Sequence, residues 1–201
     1  IMMNKTVAFW DFDKTITTKD TTLYFLFYTQ SWSKIFMGGI RLGFHLLGMK
    51  LGILDTTKVK AKVYAYFFGG WEIEKIKLLG EGFAKEIIPK LINKEALNKL
   101  EWHKAKGHEI VVVSASPEFY LKPWCKQMGF NCIGTLLYTE GVLMGKSIIS
   151  DCAGEEKVRR IKQEIDLSEF QEIYAYGNSE SGDRPMLNLA TEGKAFFNFF
   201  S

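Results

Sequence analysis

The stretch AFWDFDKTIT, residues 8–17, places Asp11 and Asp13 one residue apart directly after a short apolar run. That run, TVAFW (6–10), is continuously apolar and rich in β-branched and aromatic residues, which predicts a buried strand. A carboxylate next to a buried strand is costly to desolvate unless a cation or hydrogen bonds compensate its charge. Taken alone, such a pair is more often a turn and a helix cap, so the rest of the chain has to decide its role.

The composition is that of an ordinary globular protein. The chain has 201 residues, of which 47% are hydrophobic and 24% charged, so we expect one domain with or without a sizeable insertion. A formal net charge of +3 without a block of Lys or Arg gives no indication of nucleic-acid binding. Cys125, Cys132 and Cys152 form no CxxC pair, which favours a reducing compartment over a zinc site or a disulfide framework. The opening residues resemble no secretion signal, so we expect a cytoplasmic protein.

The order of predicted elements indicates an α/β fold. Helical spacing runs from about residue 20 to 105 after the first strand, and strands and helices alternate from there on. The later strands are predicted at HEIVVVSAS (108–116), CIGTLLYTEGVLMGK (132–146, a hairpin turning near Glu140–Gly141), EIYAYGN (172–178) and GKAFFNFF (193–200). Helices are predicted at GEEKVRRIKQEI (154–165) and DRPMLNLAT (183–191), and Ser116 with Pro117 is placed to start another.

This alternation predicts a Rossmann-like parallel sheet with helices on both faces, interrupted after its first strand by an all-helical cap. We expect the core domain to comprise residues 1–17 plus 93–201 and the cap domain residues 18–92. Ligands of such sheets bind beyond the carboxyl ends of the strands. The polar residues that follow those ends, or lie in the helix between two of the strands, are Asp11, Asp13, Thr15, Ser114, Lys157, Asn178 and Asp183.

This set of side chains suits phosphoryl transfer. Asp11 supplies a carboxylate nucleophile, and Asp13 serves as general acid and then base if the chain turns after Asp11. The Ser114 hydroxyl and backbone N–H groups after Asp11 hold the phosphate oxygens, while the Lys157 ammonium neutralises charge.

A hard oxygen site suits Mg²⁺, with ligands from Asp11, the carbonyl of Asp13, and Asn178 or Asp183. The expected cofactor is therefore Mg²⁺.

Four segments carry a family resemblance. DFDKTIT, VVVSAS, the lysine of GEEK and YGNSESGD resemble, in this order, the four motifs of the haloacid dehalogenase superfamily of phosphohydrolases. The helical insert resembles the C1-type cap of the phosphoserine phosphatase-like branch, subfamily IB. The resemblance covers almost the whole chain. It implies that Asp11 is the nucleophile and Asp13 the general acid and base, with Ser114 a phosphate ligand and Lys157 the charge neutraliser.

The same resemblance implies a metal-binding role for Asn178 and Asp183. Asn178 departs from the pattern, because the family usually has Asp there. An amide is still an oxygen ligand but removes one negative charge, so we expect weaker Mg²⁺ binding. Glu180 lies close enough in sequence to act as a substitute. A catalytically weak, phospho-binding relative is one alternative that this change leaves open.

The cap determines the substrate, and its residues depart from the phosphoserine phosphatase pattern. Asp20 stands where that branch usually has a substrate-recognising Glu, although helix capping explains Asp20 equally well. Lys58, Lys60 and Lys62 lie where the branch has an Arg for a substrate carboxylate, and a lysine lacks the bidentate fork of Arg. The substrate-binding candidates are Thr15, Asp20, Ser114 and Lys157.

The segment SKIFMGGIRLGFHLLGMKLGIL (33–54) is strongly apolar. On a helix its polar and glycine positions form one narrow stripe, Lys34, Gly38, Arg41, His45, Gly48 and Gly52. That stripe faces the active-site cleft, meets anionic headgroups or packs against a neighbouring helix. A cap-core helix with its cations reaching to solvent is the main expectation, and association with a membrane surface is a minority alternative.

The sequence thus predicts a Mg²⁺-dependent phosphomonoester hydrolase that forms an aspartyl-phosphate, acting on a small phosphorylated metabolite such as a phosphoserine-like compound. A lipid-phosphate phosphatase at a membrane surface is the alternative substrate class. The predicted partner is a small-molecule phosphate ester and not nucleic acid, and the oligomeric state is left open.

Overall fold

The structure is a computed structural model that describes the backbone of residues 5–139 and 142–200. It describes the side chains of the same residues except those of residues 138–149. The predicted turn at Glu140–Gly141 lies outside the described residues. The strands are β1 (Thr6–Trp10), β2 (Trp71–Glu72), β3 (Glu109–Pro117), β4 (Asn131–Thr139), β5 (Val142–Ser150), β6 (Glu172–Gly177) and β7 (Ala195–Phe197). The helices are α1 (Thr21–Thr29), α2 (Trp32–Lys50), α3 (Thr56–Phe68), α4 (Ile73–Glu86), α5 (Ile88–Leu91), α6 (Lys94–Ala105), α7 (Glu118–Met128), α8 (Glu155–Glu164) and α9 (Glu180–Leu187), with a 3-10 helix at Leu167–Glu169.

The described strands form one sheet in the order β2-β5-β4-β3-β1-β6-β7. Five neighbouring strands are parallel to one another, namely β4, β3, β1, β6 and β7. Strand β5 runs antiparallel to β4, and β2 runs antiparallel to β5. The predicted α/β fold with a parallel sheet is therefore confirmed. Because β1 is the central strand, with β3 on one side and β6 on the other, its C-terminal end lies at the middle of the sheet edge where ligands bind.

The two faces of β1 belong to different parts of the hydrophobic core. Ala8 and Trp10 point to the face covered by α6, α7 and the insert helices, while Val7 and Phe9 point to the face covered by α8 and α9. This alternation follows from the two-residue period of a strand. All four side chains are fully buried, which explains why the run TVAFW carries no polar residue besides Thr6.

The two ends of the segment between β1 and β3 lie next to each other. Thr17 forms an isolated antiparallel bridge with Ile92, the Thr18 N–H donates to the Leu91 carbonyl at 2.7 Å, and the Asn93 N–H donates to the Ile16 carbonyl at 2.8 Å. These contacts support the predicted boundaries, and we propose residues 18–92 as the cap domain. The segment contains one short strand that the all-helical expectation missed, since β2 pairs with β5 over two residues.

The orientation of α2 is opposite to the expected one. The expectation of a cap-core helix was wrong for the apolar residues, because only Gly38 and Leu42 of α2 are buried. Three members of the polar and glycine stripe, Lys34, Gly38 and His45, pack against α3 instead, while Arg41 is exposed. A Cβ placed on Gly38 would lie 2.5 Å from Phe67 Cζ, and the Lys34 ammonium donates to the Phe67 carbonyl at 2.9 Å. This close approach requires glycine, and most of the larger apolar residues of α2 face outward, whereas Leu42 is buried and Ile35 packs against the core.

Candidate active site

A buried group of three charges lies beyond the end of β1. Lys157 Nζ, at the start of α8, donates to Asp11 Oδ1 at 2.7 Å and to Asp183 Oδ1 at 2.6 Å. All three residues are buried, with Lys157 only 1% exposed. One ammonium between two carboxylates leaves a net charge of −1 in a site with little water, and such an arrangement is costly unless function requires it.

The loop after Asp11 turns sharply, as the role of Asp13 requires. Lys14 has a φ of 59°, in the left-handed region that non-glycine residues seldom adopt. The N–H groups of Thr15, Ile16 and Thr17 all point to the Phe12 carbonyl, at 3.3, 2.9 and 3.0 Å. The chain therefore does not continue as a strand, and Asp13 lies on the same side of the sheet edge as Asp11.

The Asp13 carboxylate is held by residues from two other elements. Its Oδ1 accepts from the Thr21 N–H at 2.7 Å and from Thr21 Oγ1 at 2.6 Å, and its Oδ2 accepts from Ser116 Oγ at 2.5 Å. Thr21 is the first residue of α1 in the insert, whereas Ser116 lies near the end of β3. Asp13 therefore joins the insert to the core directly at the site.

Ser116 is a residue whose role the sequence did not reveal. The expectation that it helps to start the next helix was wrong, because α7 begins after Pro117 without a side-chain cap. Its hydroxyl is instead turned toward Asp13. The one signal in the sequence was its spacing of two from Ser114, which places both hydroxyls on the same face of β3.

Hydrogen bonds place Ser114, Thr15 and Asn178 next to residues of the site. Ser114 is buried, and its Oγ accepts from the Ser116 N–H at 3.0 Å. The Thr15 hydroxyl donates to Asp11 Oδ2 at 3.3 Å. Asn178 Nδ2 lies 2.9 Å from Thr15 Oγ1 and 2.6 Å from the main-chain carbonyl of Asp13. The residues expected at the sheet edge are thus brought together.

Asp183 supports its neighbours with both carboxylate oxygens. Oδ1 accepts from Lys157, and Oδ2 accepts the N–H groups of Asn178 and Ser179, each at 2.9 Å. Asp183 lies in α9 rather than in a loop, one turn after the Ser179 cap. Its carboxylate therefore fixes the position of the chain that carries Asn178.

Burial governs the proton affinities of the acidic groups. Burial raises the pKa of Asp11 to about 7, with Lys157 acting in the opposite direction and Asp183 adding to the rise. Burial also raises the pKa of Asp13, against the hydrogen bonds from Ser116 and Thr21. For Lys157, burial alone would lower the pKa, but Asp11 and Asp183 together raise it above its ordinary value, so the lysine stays charged. A raised carboxyl pKa is what a general acid near neutral pH needs.

The oxygen donors at the site fit a hard cation. Among the described residues, no group of three or more His, Cys, Asp or Glu side chains is arranged to hold a metal. The donors that do lie together are of mixed type: the Asp11 carboxylate, the Asp13 main-chain carbonyl and the Asn178 amide. An amide offers an oxygen as well as an N–H group, and oxygen donors of this kind, completed by water, suit Mg²⁺.

The substrate-side candidates of the insert have other partners. Asp20 is exposed and caps α1, accepting from the Leu23 N–H at 3.1 Å. Lys60 forms an ion pair with Asp151 at 2.7 Å, and Lys62 lies 2.7 Å from His45 Nε2. Lys60 therefore links α3 to the end of β5, a contact between insert and core that the sequence did not indicate.

Comparison with known proteins identifies the family. Residues 8–188 match the model of the haloacid dehalogenase-like hydrolases, which is most of the chain. The chain belongs to this family. Protein CicA from Caulobacter vibrioides is 32% identical over 195 residues, covering 92% of this chain and 83% of CicA. A Mycobacterium tuberculosis protein named "Probable phosphatase Rv3661" is 28% identical over 209 residues, covering 91% of this chain and 66% of that protein.

Solved structures share the fold of this haloacid dehalogenase-like protein. A Bordetella pertussis protein of unknown function has a TM-score of 0.79 at 21% identity, covering 94% of this chain and 88% of that one. A phosphoserine phosphatase, solved as an analogue of its phospho-aspartyl intermediate, has a TM-score of 0.60 at 18% identity, with coverages of 94% and 84%. The predicted superfamily, its hydrolase class and the likeness in fold to phosphoserine phosphatases are confirmed.

Proposed function

We propose that this hydrolase is a Mg²⁺-dependent phosphomonoesterase that acts through an aspartyl-phosphate on Asp11. The observation that carries the proposal is the ammonium of Lys157, which lies between Asp11 and Asp183 at 2.7 and 2.6 Å in a buried site. The ammonium opposes the effect of burial on the pKa of Asp11 and places a cation beside its carboxylate, which a nucleophile needs to approach a doubly charged phosphate ester.

The first chemical step transfers the phosphoryl group to the protein. A carboxylate oxygen of Asp11 forms the new bond to phosphorus as the bond to the ester oxygen breaks. Asp13 donates a proton to that leaving oxygen, and the alcohol departs. The raised pKa of Asp13 supports this role, because burial makes its carboxyl group hold a proton more strongly than an ordinary aspartate.

The second step regenerates the nucleophile. Asp13, now ionised, takes a proton from a water molecule whose oxygen attacks phosphorus, and the bond between phosphorus and Asp11 breaks to release inorganic phosphate. Ser114 and the N–H groups of Phe12 and Asp13, the two residues after Asp11, hold the phosphate oxygens through both steps. Lys157 balances charge on the Asp11 carboxylate each time it is released.

Mg²⁺ would be held by the Asp11 carboxylate, the Asp13 main-chain carbonyl and the Asn178 side chain. When bound, it neutralises negative charge on the phosphate. Asp183 remains in the proposed metal-binding set, with the role of positioning the backbone of Asn178 through its two N–H acceptor contacts. The cap would close over the substrate and exclude water from the first step.

The substrate class that we propose is a small phosphate monoester. The family and the phosphatase name of the M. tuberculosis relative support a phosphatase, and the fold shared with phosphoserine phosphatase makes phosphoserine-like compounds the first to test. A lipid phosphate at a membrane surface is the second candidate, because α2 turns its apolar residues outward.

The decisive experiment measures Mg²⁺-dependent release of phosphate from an aryl phosphate by the native chain and by Asp11→Asn. We expect turnover in the native protein and a loss of at least about a thousandfold in the variant, since an amide is no nucleophile. Asp166→Asn is the control, because it makes the same substitution at an aspartate whose carboxylate caps the 3-10 helix.

Each outcome has a defined meaning. Full activity in Asp11→Asn, or loss of activity in Asp166→Asn alone, would overturn the assignment of Asp11. Native protein that binds phosphate esters without turnover, across aryl, phosphoserine and lipid substrates, would instead favour a phospho-binding relative disabled at Asn178.

A further inference from the structure

The outward face of α2 is a row of exposed apolar side chains. Phe36, Ile40, Phe44, Leu47 and Leu51 follow one another at steps of three and four residues, so they lie on one side of the helix. Phe44 is 86% exposed, Phe36 70% and Ile40 60%. Aromatic and branched apolar residues at this exposure are unusual for a helix surface in water, and a contiguous patch of them marks an interaction site.

The opposite side of α2 fixes this orientation. Gly38 lies against Phe67, Lys34 donates to the Phe67 carbonyl, and His45 contacts Lys62, so three points along the helix bind it to α3. A turn of α2 about its axis would break these contacts and bring larger side chains against Phe67. The apolar row therefore cannot be buried by rolling the helix.

The apolar surface continues onto the preceding helix. The ring of Phe27 in α1 lies 5.0 Å from that of Trp32, which is 76% exposed at the start of α2. Leu23, one turn earlier in α1, is also exposed. The surface thus extends toward Thr21, the residue that holds the Asp13 carboxylate. We call the exposed apolar residues of α1 and α2 the apolar face.

The segment that carries the apolar face contains basic residues and no acidic ones, although Asp20 and Asp55 flank it directly. Residues 21–54 contain no Asp or Glu, whereas they contain Lys34, Arg41 and Lys50. A second copy of this chain on the apolar face would bring like charges together without acidic residues from these helices to balance them. An anionic lipid surface provides the complementary charge along with an apolar interior.

We propose that the apolar face lies on an anionic phospholipid bilayer, with α2 parallel to the membrane plane. Its Phe, Ile and Leu side chains enter the boundary between headgroups and acyl chains, and Arg41 and Lys50 meet the phosphates. Within the described part of the chain, no helix is long and apolar enough to cross a bilayer. The membrane contact is therefore a surface contact made by a folded domain.

The test uses the full chain with vesicles of phosphatidylcholine alone or with a third of phosphatidylglycerol, separated by flotation. We expect the native protein to float with the anionic vesicles and to be released by high salt, because exposed charge interactions are screened. The variant Phe36→Ser/Ile40→Ser/Phe44→Ser should lose at least tenfold in vesicle partitioning. Because these side chains are exposed, the variant should remain folded, which circular dichroism checks.

Two further variants separate the contributions. Leu78→Ser changes an apolar side chain on α4 that is as exposed as Phe36, and this variant should float like the native protein. Arg41→Gln/Lys50→Gln should weaken binding to anionic vesicles severalfold and reduce its salt dependence.

Three results would overturn the proposal. They are failure of the native protein to float with anionic vesicles, unchanged flotation of the triple variant, and equal partitioning into neutral vesicles. A concentration-dependent dimer in solution that the triple variant abolishes, without vesicle binding by the native chain, would assign the apolar face to a second copy instead. None of these readouts depends on phosphatase activity.

Discussion

The side-chain amide of Asn178 donates to the main-chain carbonyl of Asp13 at 2.6 Å. Both groups belong to the oxygen-donor set that we propose for Mg²⁺, so the amide directly contacts another donor of that set. An aspartate at this position would bring two negatively charged oxygens next to a carbonyl, an arrangement that a bound cation stabilises. The contact explains how the fold tolerates an uncharged residue here.

We therefore expect Asn178→Asp to bind Mg²⁺ about tenfold more tightly than the native chain, a gain of about 1.4 kcal/mol. The added carboxylate supplies the charge that the amide lacks. Titration calorimetry with Mg²⁺ measures the change, and Asn178→Ala, which removes the donor, should bind more weakly than the native protein. Equal affinities in all three proteins would show that residue 178 is not a ligand.

Asp13→Asn should separate the two chemical steps. With an aryl phosphate whose leaving group needs no proton, Asp11 is still phosphorylated, but water is no longer deprotonated. We expect a burst of about one phenolate per protein followed by turnover that is roughly 10²–10⁴ times slower. Stopped-flow absorbance measures the burst.

Ser116→Ala is the matched control for that variant. It removes one of the three hydrogen bonds to Asp13 and leaves the carboxyl group in place. We expect a smaller loss of turnover and no burst. A burst of equal size in both variants would contradict the assignment of Asp13 as the base.

Gly80→Ala should destabilise the protein by about 1–3 kcal/mol. A Cβ at Gly80 in α4 would lie 2.2 Å from the Phe119 carbonyl oxygen of α7, so the two helices would have to separate. Urea denaturation measures the free energy of unfolding.

Gly43→Ala is its control, because a Cβ at Gly43 in α2 has no neighbour within 4 Å. There the better helix propensity of Ala should stabilise the chain by about 0.5–1 kcal/mol. The same sign of change in both variants would refute the close approach of α4 and α7.

His103 gives the fold a pH dependence separate from catalysis. It is fully buried and contacts Tyr176 Oη at 2.9 Å and His108 Nδ1 at 2.8 Å. Burial lowers its pKa to about 3, with the nearby His108 and Lys99 acting in the same direction. Below about pH 6.5 the unfolded chain binds a proton at His103 that the folded chain excludes, so stability falls as the pH falls through this range.

The expected contribution is about 1.4 kcal/mol of unfolding free energy per pH unit between pH 6 and 4. In His103→Gln the slope of stability against pH should decrease by that amount, even though the variant is less stable at pH 7. Denaturation curves at several pH values measure both slopes. Identical slopes would mean that His103 accepts a proton in the folded protein.

The arrangement of the site was largely predictable because topology determines it. Once TVAFW is the central strand of a parallel sheet, the residues after each strand meet at one edge, which brings Asp11, Ser114 and Asn178 together. Lys157 needed the family resemblance, since a lysine in a helix with several charged neighbours is usually solvated. The turn at Lys14 and the rotation of Ser116 toward Asp13 depend on local loop geometry, which periodicity does not encode.

The orientation of α2 shows a different limit of the sequence. Helical periodicity identified its two faces, but burial of an apolar face is only a general tendency. The outcome depended on Gly38, whose missing side chain admits Phe67 so closely that the narrow face packs inward. Such steric fit depends on a residue of another helix, so the sequence of α2 alone could not predict it.

The central position of β1 has a consequence for the order in which the nascent protein matures. β1 is synthesised before both of its hydrogen-bonded neighbours, which begin only at Glu109 and Glu172. Until β6 has been synthesised, β1 cannot form hydrogen bonds with a neighbouring strand on each side. Asp183, which shares Lys157 with Asp11, emerges later still. The Asp11 carboxylate therefore reaches the environment described here only after Asp183 has been synthesised.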